Sequence, residues 1–562
     1  MCSDIKSLQL GFVGCKLNYM RRKIMKKILI AAFASALIVS TGALPAFAAD
    51  KGTSTSVFVA TDRHSYYDSD GYLDIAHGNY LTDILELIQS DDTITQPTVG
   101  IIGGDLVGSG KDVMLDSDGN KWAGQPAFFI DDVNDEFRTV YGNSFKTYYT
   151  FGSHDNHCAS PYEDTFLSGP AKEDGYYIYG ITYSQMVNAT EEQAIEAVKN
   201  NEVYDTVDLG DKNGMSAEIA SANFSEWVNS LDDNKPIIVM THVPMHVHHN
   251  DNFGATTWNA ALQEAAKTHD IIVLWGHNHS LETSRGDLTD RDYYLVPKGS
   301  TMEIQGFEYD GSLNEEVELA YTYCNAGYIT MGYGSLLTFD DDQSDGKYDT
   351  LTINRYTLNL TLYNLTTGEV LEGCDGSGEA GLLDTFGTTG IACPYSLELT
   401  KWADIPSPEE ITYNGKKQTA YEDTDAYTVS KAQGKNVGTY TATLTLKDGY
   451  KWSDGTTDSK SVEWKIVPDS TSITKVISNK KSFELKWKKN TANTTGYQIQ
   501  YSQKSIFSSP KMITVKKNAK TSKKITNLKS KKTYYVRIRT YANVEGTKYV
   551  SSWSKIAKIK TK

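Results

Sequence analysis

Five places in the sequence set an Asp or a His directly behind a short, apolar, β-branched run. Asp62-Arg63-His64 follows Ser56-Val57-Phe58-Val59-Ala60, and Gly103-Gly104-Asp105 closes the run from Pro97 to Ile102. Gly152-Ser153-His154-Asp155 comes after Thr147 to Phe151, His242 ends Ile237-Ile238-Val239-Met240-Thr241, and Gly276-His277-Asn278-His279 closes Ile271 to Trp275. Carboxylate oxygens and imidazole nitrogens are ligands for hard-to-borderline cations. In Asp62-Arg63-His64 they occupy alternate positions, where both can face the same way. Each fragment alone has a plainer reading: Asp62 as a loop cap, Asp105 as a turn residue, a single histidine as a satisfied core or surface group. Their recurrence at five strand ends does not, because strands of one α/β sheet deliver their C-terminal ends to a single crevice.

The elements that must position these groups are legible as periodicity. Between the apolar runs lie helical patterns, as in Leu81, Ile84, Leu85 and Ile88, or Phe224, Trp227, Val228 and Leu231 ahead of Pro236. Strands alternating with helices argue for βαβ units from Thr53 to about Ser396. After Pro394 the style changes to Thr-, Tyr- and Val-rich alternation punctuated by Gly and Asp, which predicts all-β structure. A boundary near Leu397 separates domain 53–396 from a small β-module at 397–467, with an Asn414-Gly415 hairpin signal, and from a second module at 468–562.

The order Asp-x-His, Gly-Asp, Gly-x-His-Asp, His, Gly-His-x-His resembles the calcineurin-like metallophosphoesterase family over about Thr53 to Pro297. The resemblance implies an α/β fold, a four-layer α/β/β/α sandwich, with two metal ions at the strand ends, Mn, Fe or Zn. Carried over, Asp62, His64 and His279 would hold one ion and His242 and His277 the other, with Asp105 bridging. The implied reaction is attack of a metal-activated hydroxide on a phosphate mono- or diester. His154 would then serve the leaving oxygen and Asp155 would fix its tautomer, unless Asp155 is simply a turn cap. Ser153 departs from the family, which has a metal-binding asparagine there; a hydroxyl is a poorer ligand, and occupancy of the second site is in question. A shifted alignment would use Asn156-His157 instead. Because one ligand is altered and two β-modules follow, a catalytically impaired surface-binding protein is the rival reading.

The 397–467 stretch is similar to small β-repeat modules of bacterial surface proteins. Residues 468–562 look like a fibronectin type III sandwich, with Trp487 on a buried strand, Leu528, and Tyr534 at the tyrosine corner. Neither module gathers catalytic residue types, so both read as spacers or contacts to cell wall or glycan.

The chain has 562 residues, 39% hydrophobic and 22% charged, with formal net charge -16. That balance is globular and disfavours a nucleic-acid duplex as partner. From Ile473 on, however, the sequence is rich in lysine, either a solvated face or a means of holding an anionic surface. Arg21, Arg22, Lys23, Lys26 and Lys27 precede the apolar run Ile28 to Val39, and Ala46-Phe47-Ala48 follows. This predicts an export signal within residues 1–48 and a secreted, extracellular chain held at the cell surface or free of it. No later stretch reaches the ~20 apolar residues of a spanning helix. Outside the leader stand Cys158, Cys324, Cys374 and Cys393; a Cys374–Cys393 disulfide is the expected pairing, with buried thiols the alternative. His246-Val247-His248-His249 offers His246 to shape the pocket. Tyr66, Tyr67 and Tyr72 could line its rim, and the insert from Pro161 to Gly214 is where specificity would reside.

Overall fold

The computed structural model describes residues 53–67, 73–75, 80–106, 113–115, 121–123, 127–153, 155, 167, 169–188, 190, 216–246, 253–277, 293–306, 314–342, 347–358, 380–386 and 389–562. His154, His279, Cys158, Cys374, Tyr72, His248, His249, the leader and more than half of the insert lie outside them; the insert's Pro170–Lys172 and Tyr177–Ile181 are strands.

The first sheet grows around β1 (Thr53–Ala60). Its second half is apolar on both sides because both sides are covered. Val57 and Val59 point into the core shared with the second sheet, whereas Phe58 and Ala60 point to helices α1 (Leu81–Gln89) and α2 (Ala127–Tyr141). β1 runs parallel to β2 (Pro97–Gly103), which runs parallel to β3 (Lys146–Thr150). The second sheet is built from β4 (Pro170–Lys172), β5 (Tyr177–Ile181), β6 (Ile237–Thr241), β7 (Ile271–Trp275), β8 (Leu295–Val296) and β9 (Thr322–Asn325), in the order β8-β9-β7-β6-β5-β4. Its centre is parallel, β5 with β6, β6 with β7 and β7 with β9, and all of β6 and β7 is buried.

The first sheet is completed by β10 (Tyr333–Asp341), β11 (Thr350–Thr357), β12 (Gly381–Leu382) and β13 (Tyr395–Glu398). β10 pairs antiparallel with β1, and β11 then pairs with β10, β12 and β13.

On the outer face of the second sheet lie α3 (Ala217–Ser230) and α4 (Ala255–Ala265). Phe224 and Trp258 meet Tyr179 edge-on, with ring centroids 4.8 and 6.3 Å away. The result is the α/β/β/α sandwich expected from the resemblance. On α1 the four periodic positions Leu81, Ile84, Leu85 and Ile88 are fully buried, each contributing roughly 1.5–3 kcal/mol of burial free energy. The helix has no side-chain cap of its own. Instead Glu136 of α2 accepts from the Thr82 N–H and hydroxyl at 3.2 and 2.8 Å, placing an anion at the positive helix end.

The 397–467 module centres on Trp452 and Trp464, both fully buried. Its Asn414-Gly415 signal makes a turn, with Gly415 at φ 80° and Lys416 N–H donating to Asn414 Oδ1 at 2.8 Å, but not the expected hairpin. The strand before it, Glu410–Thr412, pairs with Lys460–Val467, and the strand after it, Gln418–Thr419, pairs with Gln433–Gly434. Local turn chemistry was satisfied while the partners were chosen by the wider sheet.

The last module is a two-sheet sandwich. Trp487 is buried, and the Tyr534 hydroxyl accepts from the Lys529 N–H at 3.0 Å. Tyr549 and Ala542 of this module enter the core of the preceding one. Cys324 and Cys393 are buried free thiols, so the disulfide expected for Cys393 is not formed; its sulfur instead accepts from the Arg355 N–H at 3.2 Å.

Candidate metal centre

The C-terminal ends of β1, β2, β6 and β7 converge, and their loops are tied together by main-chain bonds. Asp62 N–H donates to the Gly104 carbonyl at 3.1 Å and His64 N–H to the Asp105 carbonyl at 3.0 Å. Asp62, His64, Asp105 and His277 all adopt left-handed backbone, at φ 57°, 50°, 48° and 74°. For residues with a Cβ this conformation costs about 1–2 kcal/mol each. Four such residues at one place are strain concentrated where side chains must be aimed.

Asp62 is aimed by its neighbours. Its Oδ2 accepts from the Thr61 hydroxyl at 2.5 Å and from the His277 N–H at 3.1 Å, and Oδ1 faces His64 Nε2 at 3.5 Å. Asp105 is shared: its Oδ2 lies 3.7 Å from His64 Nε2 and 3.1 Å from His242 Nε2. His242 in turn brings Nε2 within 3.1 Å of His277 Nδ1. The donors therefore fall into two groups, Asp62–His64–Asp105 and Asp105–His242–His277, with ligand atoms inside each group within 4.8 Å of one another.

This donor set fits cations. An ion bound at about 2.0–2.2 Å from N and O ligands sets neighbouring ligand atoms roughly 3 Å apart, the separation found around His242 Nε2. Burial alone would lower the pKa of His242, but Asp105, through charge and hydrogen bond, then Asp62 and the Gly103 carbonyl, raise it to about 9. A pocket whose field retains a proton so firmly is one that attracts positive charge.

Ser153 stands beside the shared carboxylate, its hydroxyl 3.1 and 3.3 Å from the two Asp105 oxygens. Gly152 permits that approach: a Cβ there would lie 2.2 Å from Asp105 N and 2.3 Å from its Oδ1. Asp155 is buried and accepts from the Gly152 N–H at 2.9 Å, the geometry of a turn cap. His246 is buried outside both donor groups, stacked on Tyr293 at 4.5 Å, edge-on to Trp275 at 4.7 Å, with Nδ1 3.0 Å from the Tyr323 hydroxyl.

Two supporting residues escape a sequence-level reading. Thr61 positions Asp62, and Arg63, fully buried between the two ligands, pairs with Glu136 at 2.6 Å. The signal for Arg63 was present: an arginine immediately after a buried strand needs a carboxylate somewhere in the fold.

Comparison with known proteins agrees with this geometry. Residues 55–281 match the family described as calcineurin-like phosphoesterase, and residues 467–555 match the fibronectin type III domain. The chain thus carries a phosphoesterase domain of a divalent-metal family and a domain of a widespread binding type. No curated protein matches it. Among solved structures, one titled as a myokine structure is 18% identical, with 16% of this chain and 94% of that chain covered and a TM-score of 0.14. The fibronectin type III domain of human collagen alpha-1(XX) is 17% identical, covering 16% and 84%, with TM-score 0.14. That of human contactin 1 is 16% identical, covering 17% and 82%, with TM-score 0.15. Among the described residues no helix is long and apolar enough to cross a membrane.

Proposed function

We propose that this calcineurin-like phosphoesterase domain is an active, metal-dependent hydrolase of phosphate mono- or diesters, carried on an exported chain whose β-modules contact the cell wall or its glycans. The observation that carries the reading is Asp105, common to both donor groups. A carboxylate placed between two such groups is what a paired-cation site requires.

In this reading Asp62 and His64, with His279, would hold one cation, His242 and His277 would hold the other, and Asp105 would be shared between them. Two bound cations supply a water that ionises near neutral pH and neutralise the phosphoryl oxygens. The chain's own contribution is orientation. Thr61 and the His277 N–H hold Asp62, and the Gly103 carbonyl holds His242, so the ligands are in place before a substrate arrives. His154 is assigned to the leaving oxygen, and Asp155 keeps the loop that carries it in shape. Export rests on the basic residues, apolar run and Ala46-Phe47-Ala48 of the leader.

A second reading, a binding protein with an impaired site, is favoured by Ser153, whose hydroxyl is directed at Asp105 where the family has a ligand amide. The two are separated by hydrolysis of p-nitrophenyl phosphate and bis-p-nitrophenyl phosphate after chelation and re-addition of Mn, Fe or Zn. Metal-restored turnover that disappears in Asp105→Asn and His154→Ala supports the hydrolase, and the preferred reporter assigns mono- or diesterase. Metal uptake without turnover, with turnover gained in Ser153→Asn, supports the impaired protein.

A further inference from the structure

Residues 467–562 hold 23 lysines and arginines against three acidic residues, Asp469, Glu484 and Glu545, in a chain whose totals are 55 against 71. Among the described residues none of those 23 side chains makes an ion pair. Nor are they evenly spread. The turn at 480–481, the segment 529–532 and the strand end at 560–562 are laced into one pole. Lys481 N–H donates to the Lys562 carbonyl at 3.2 Å, Leu528 N–H to the Lys481 carbonyl at 3.0 Å, and Thr561 N–H to the Lys532 carbonyl at 3.0 Å. The buried Thr561 hydroxyl donates to the Lys529 carbonyl at 2.6 Å. This scaffold fixes Lys480, Lys481, Lys529, Lys531, Lys532 and Lys562, all exposed, at one end of the sandwich.

No acid shares that end. Glu484 lies in the middle of a strand, opposite Lys524. Asp469 and Glu545 are at the other end, where the Asp469 carbonyl accepts from the Thr540 hydroxyl and Glu545 turns between the strands Thr533–Val544 and Thr547–Val550. That long strand keeps the two ends about 35 Å apart.

The loop 503–510 leaves from the lysine end. Gln503 donates to the Tyr534 hydroxyl at 2.9 Å, the same oxygen that accepts from Lys529 N–H. At this loop Phe507 is buried under Arg537, 4.2 Å from its ring centroid, and has φ 55°. Its neighbour Ile506 is left 81% exposed.

We infer that this pole docks the protein on an anionic lipid surface, with the lysines at the headgroups and Ile506 at the acyl boundary. Lysines alone would suit any polyanion; an exposed apolar side chain on the loop that leaves the same end is what selects a bilayer. The inference is independent of the metal site.

The test is sedimentation of the full chain with phosphatidylglycerol–phosphatidylcholine vesicles, with phosphatidylcholine alone, and titration with soluble inorganic polyphosphate. Binding to the anionic vesicles only, weakened by salt, is expected. Lys480→Gln/Lys529→Gln/Lys532→Gln should weaken it about a hundredfold, at roughly fivefold per lysine. Lys516→Gln/Lys517→Gln/Lys520→Gln removes equal charge from the far end and should cost less than about threefold. Ile506→Ser should weaken vesicle binding about tenfold and leave polyphosphate binding unchanged. Equal loss in both triple variants, no effect of Ile506→Ser, or tighter binding to polyphosphate than to vesicles would each overturn the proposal. Unchanged thermal midpoints establish that the variants are folded.

Discussion

His242 turns Nδ1 to the carbonyl of Gly103, 2.9 Å away, so the neutral ring carries its proton on Nδ1 and presents Nε2 to Asp105. Without a cation the ring also holds a proton on Nε2, its pKa raised to about 9, and the main chain of a neighbouring strand fixes Nε2 as the nitrogen freed when that proton leaves. Much of the metal centre's behaviour follows from how such second contacts are arranged.

Because Asp105 is shared, its loss should empty both positions, whereas loss of His277 should empty one. Asp105→Asn is expected to retain no tightly held metal and to lose about a thousandfold in turnover, the several kcal/mol that paired cations contribute to phosphoryl transfer. His277→Ala should keep one equivalent. Metal content after dialysis, measured beside turnover, checks both.

Gly152→Ala places a methyl group where Asp105 now sits, at 2.2–2.3 Å. Overpacking of this kind costs about 1–3 kcal/mol, and here the displaced group is the bridging carboxylate. The unfolding free energy from denaturant titration should fall by that amount while turnover of the folded protein falls at least tenfold.

His269 offers a pH dependence away from the site. It is buried, with Nε2 2.9 Å from the Asp233 carbonyl. Burial pushes its pKa below 6.5, and Asp233 and Asp270 only partly oppose this. The unfolded chain therefore binds the proton more readily than the folded one. Its contribution is complete above about pH 6.5 and is lost as pH falls below that value toward the folded pKa. Unfolding free energies compared at pH 7.5 and 5.5 should drop more for the wild type than for His269→Gln.

The 397–467 module is seated on the catalytic domain through Asn234 Nδ2, which donates to the Ser453 carbonyl at 3.0 Å, and through Gly455, where a Cβ would lie 2.4 Å from the Lys267 carbonyl. Gly455 also has φ 79°. Gly455→Ala should destabilise this seat by about 1–3 kcal/mol and expose the junction to limited proteolysis, with turnover on small esters unchanged within twofold.

The sequence revealed the strands that carry ligands because parallel strands covered on both faces are written as unbroken apolar runs, and β1, β2, β6 and β7 are of that kind. It revealed α1 because Leu81, Ile84, Leu85 and Ile88 keep a helical period. It could not reveal that β10 and β11 return to close the first sheet, since antiparallel pairing over that separation leaves no local mark. Nor could it show that Asp62, His64, Asp105 and His277 are left-handed: nothing about an Asp or His announces positive φ when neighbouring strands impose it. The Asn414-Gly415 hairpin and the Cys374–Cys393 pairing failed for the same reason, partners chosen by the whole fold rather than by spacing.

The junction through Asn234, Gly455 and the Asp270 carboxylate, which accepts from Thr400 N–H at 2.7 Å, lies before β6 and β7, whereas His242 and His277 lie after them. The seat of the β-modules and the metal ligands thus occupy opposite ends of the same two strands. An antibody that covers the β-modules would leave the metal ligands open, and an inhibitor lodged among those ligands would leave the β-modules uncovered. Each end can be blocked, or exchanged onto another carrier, without touching the other.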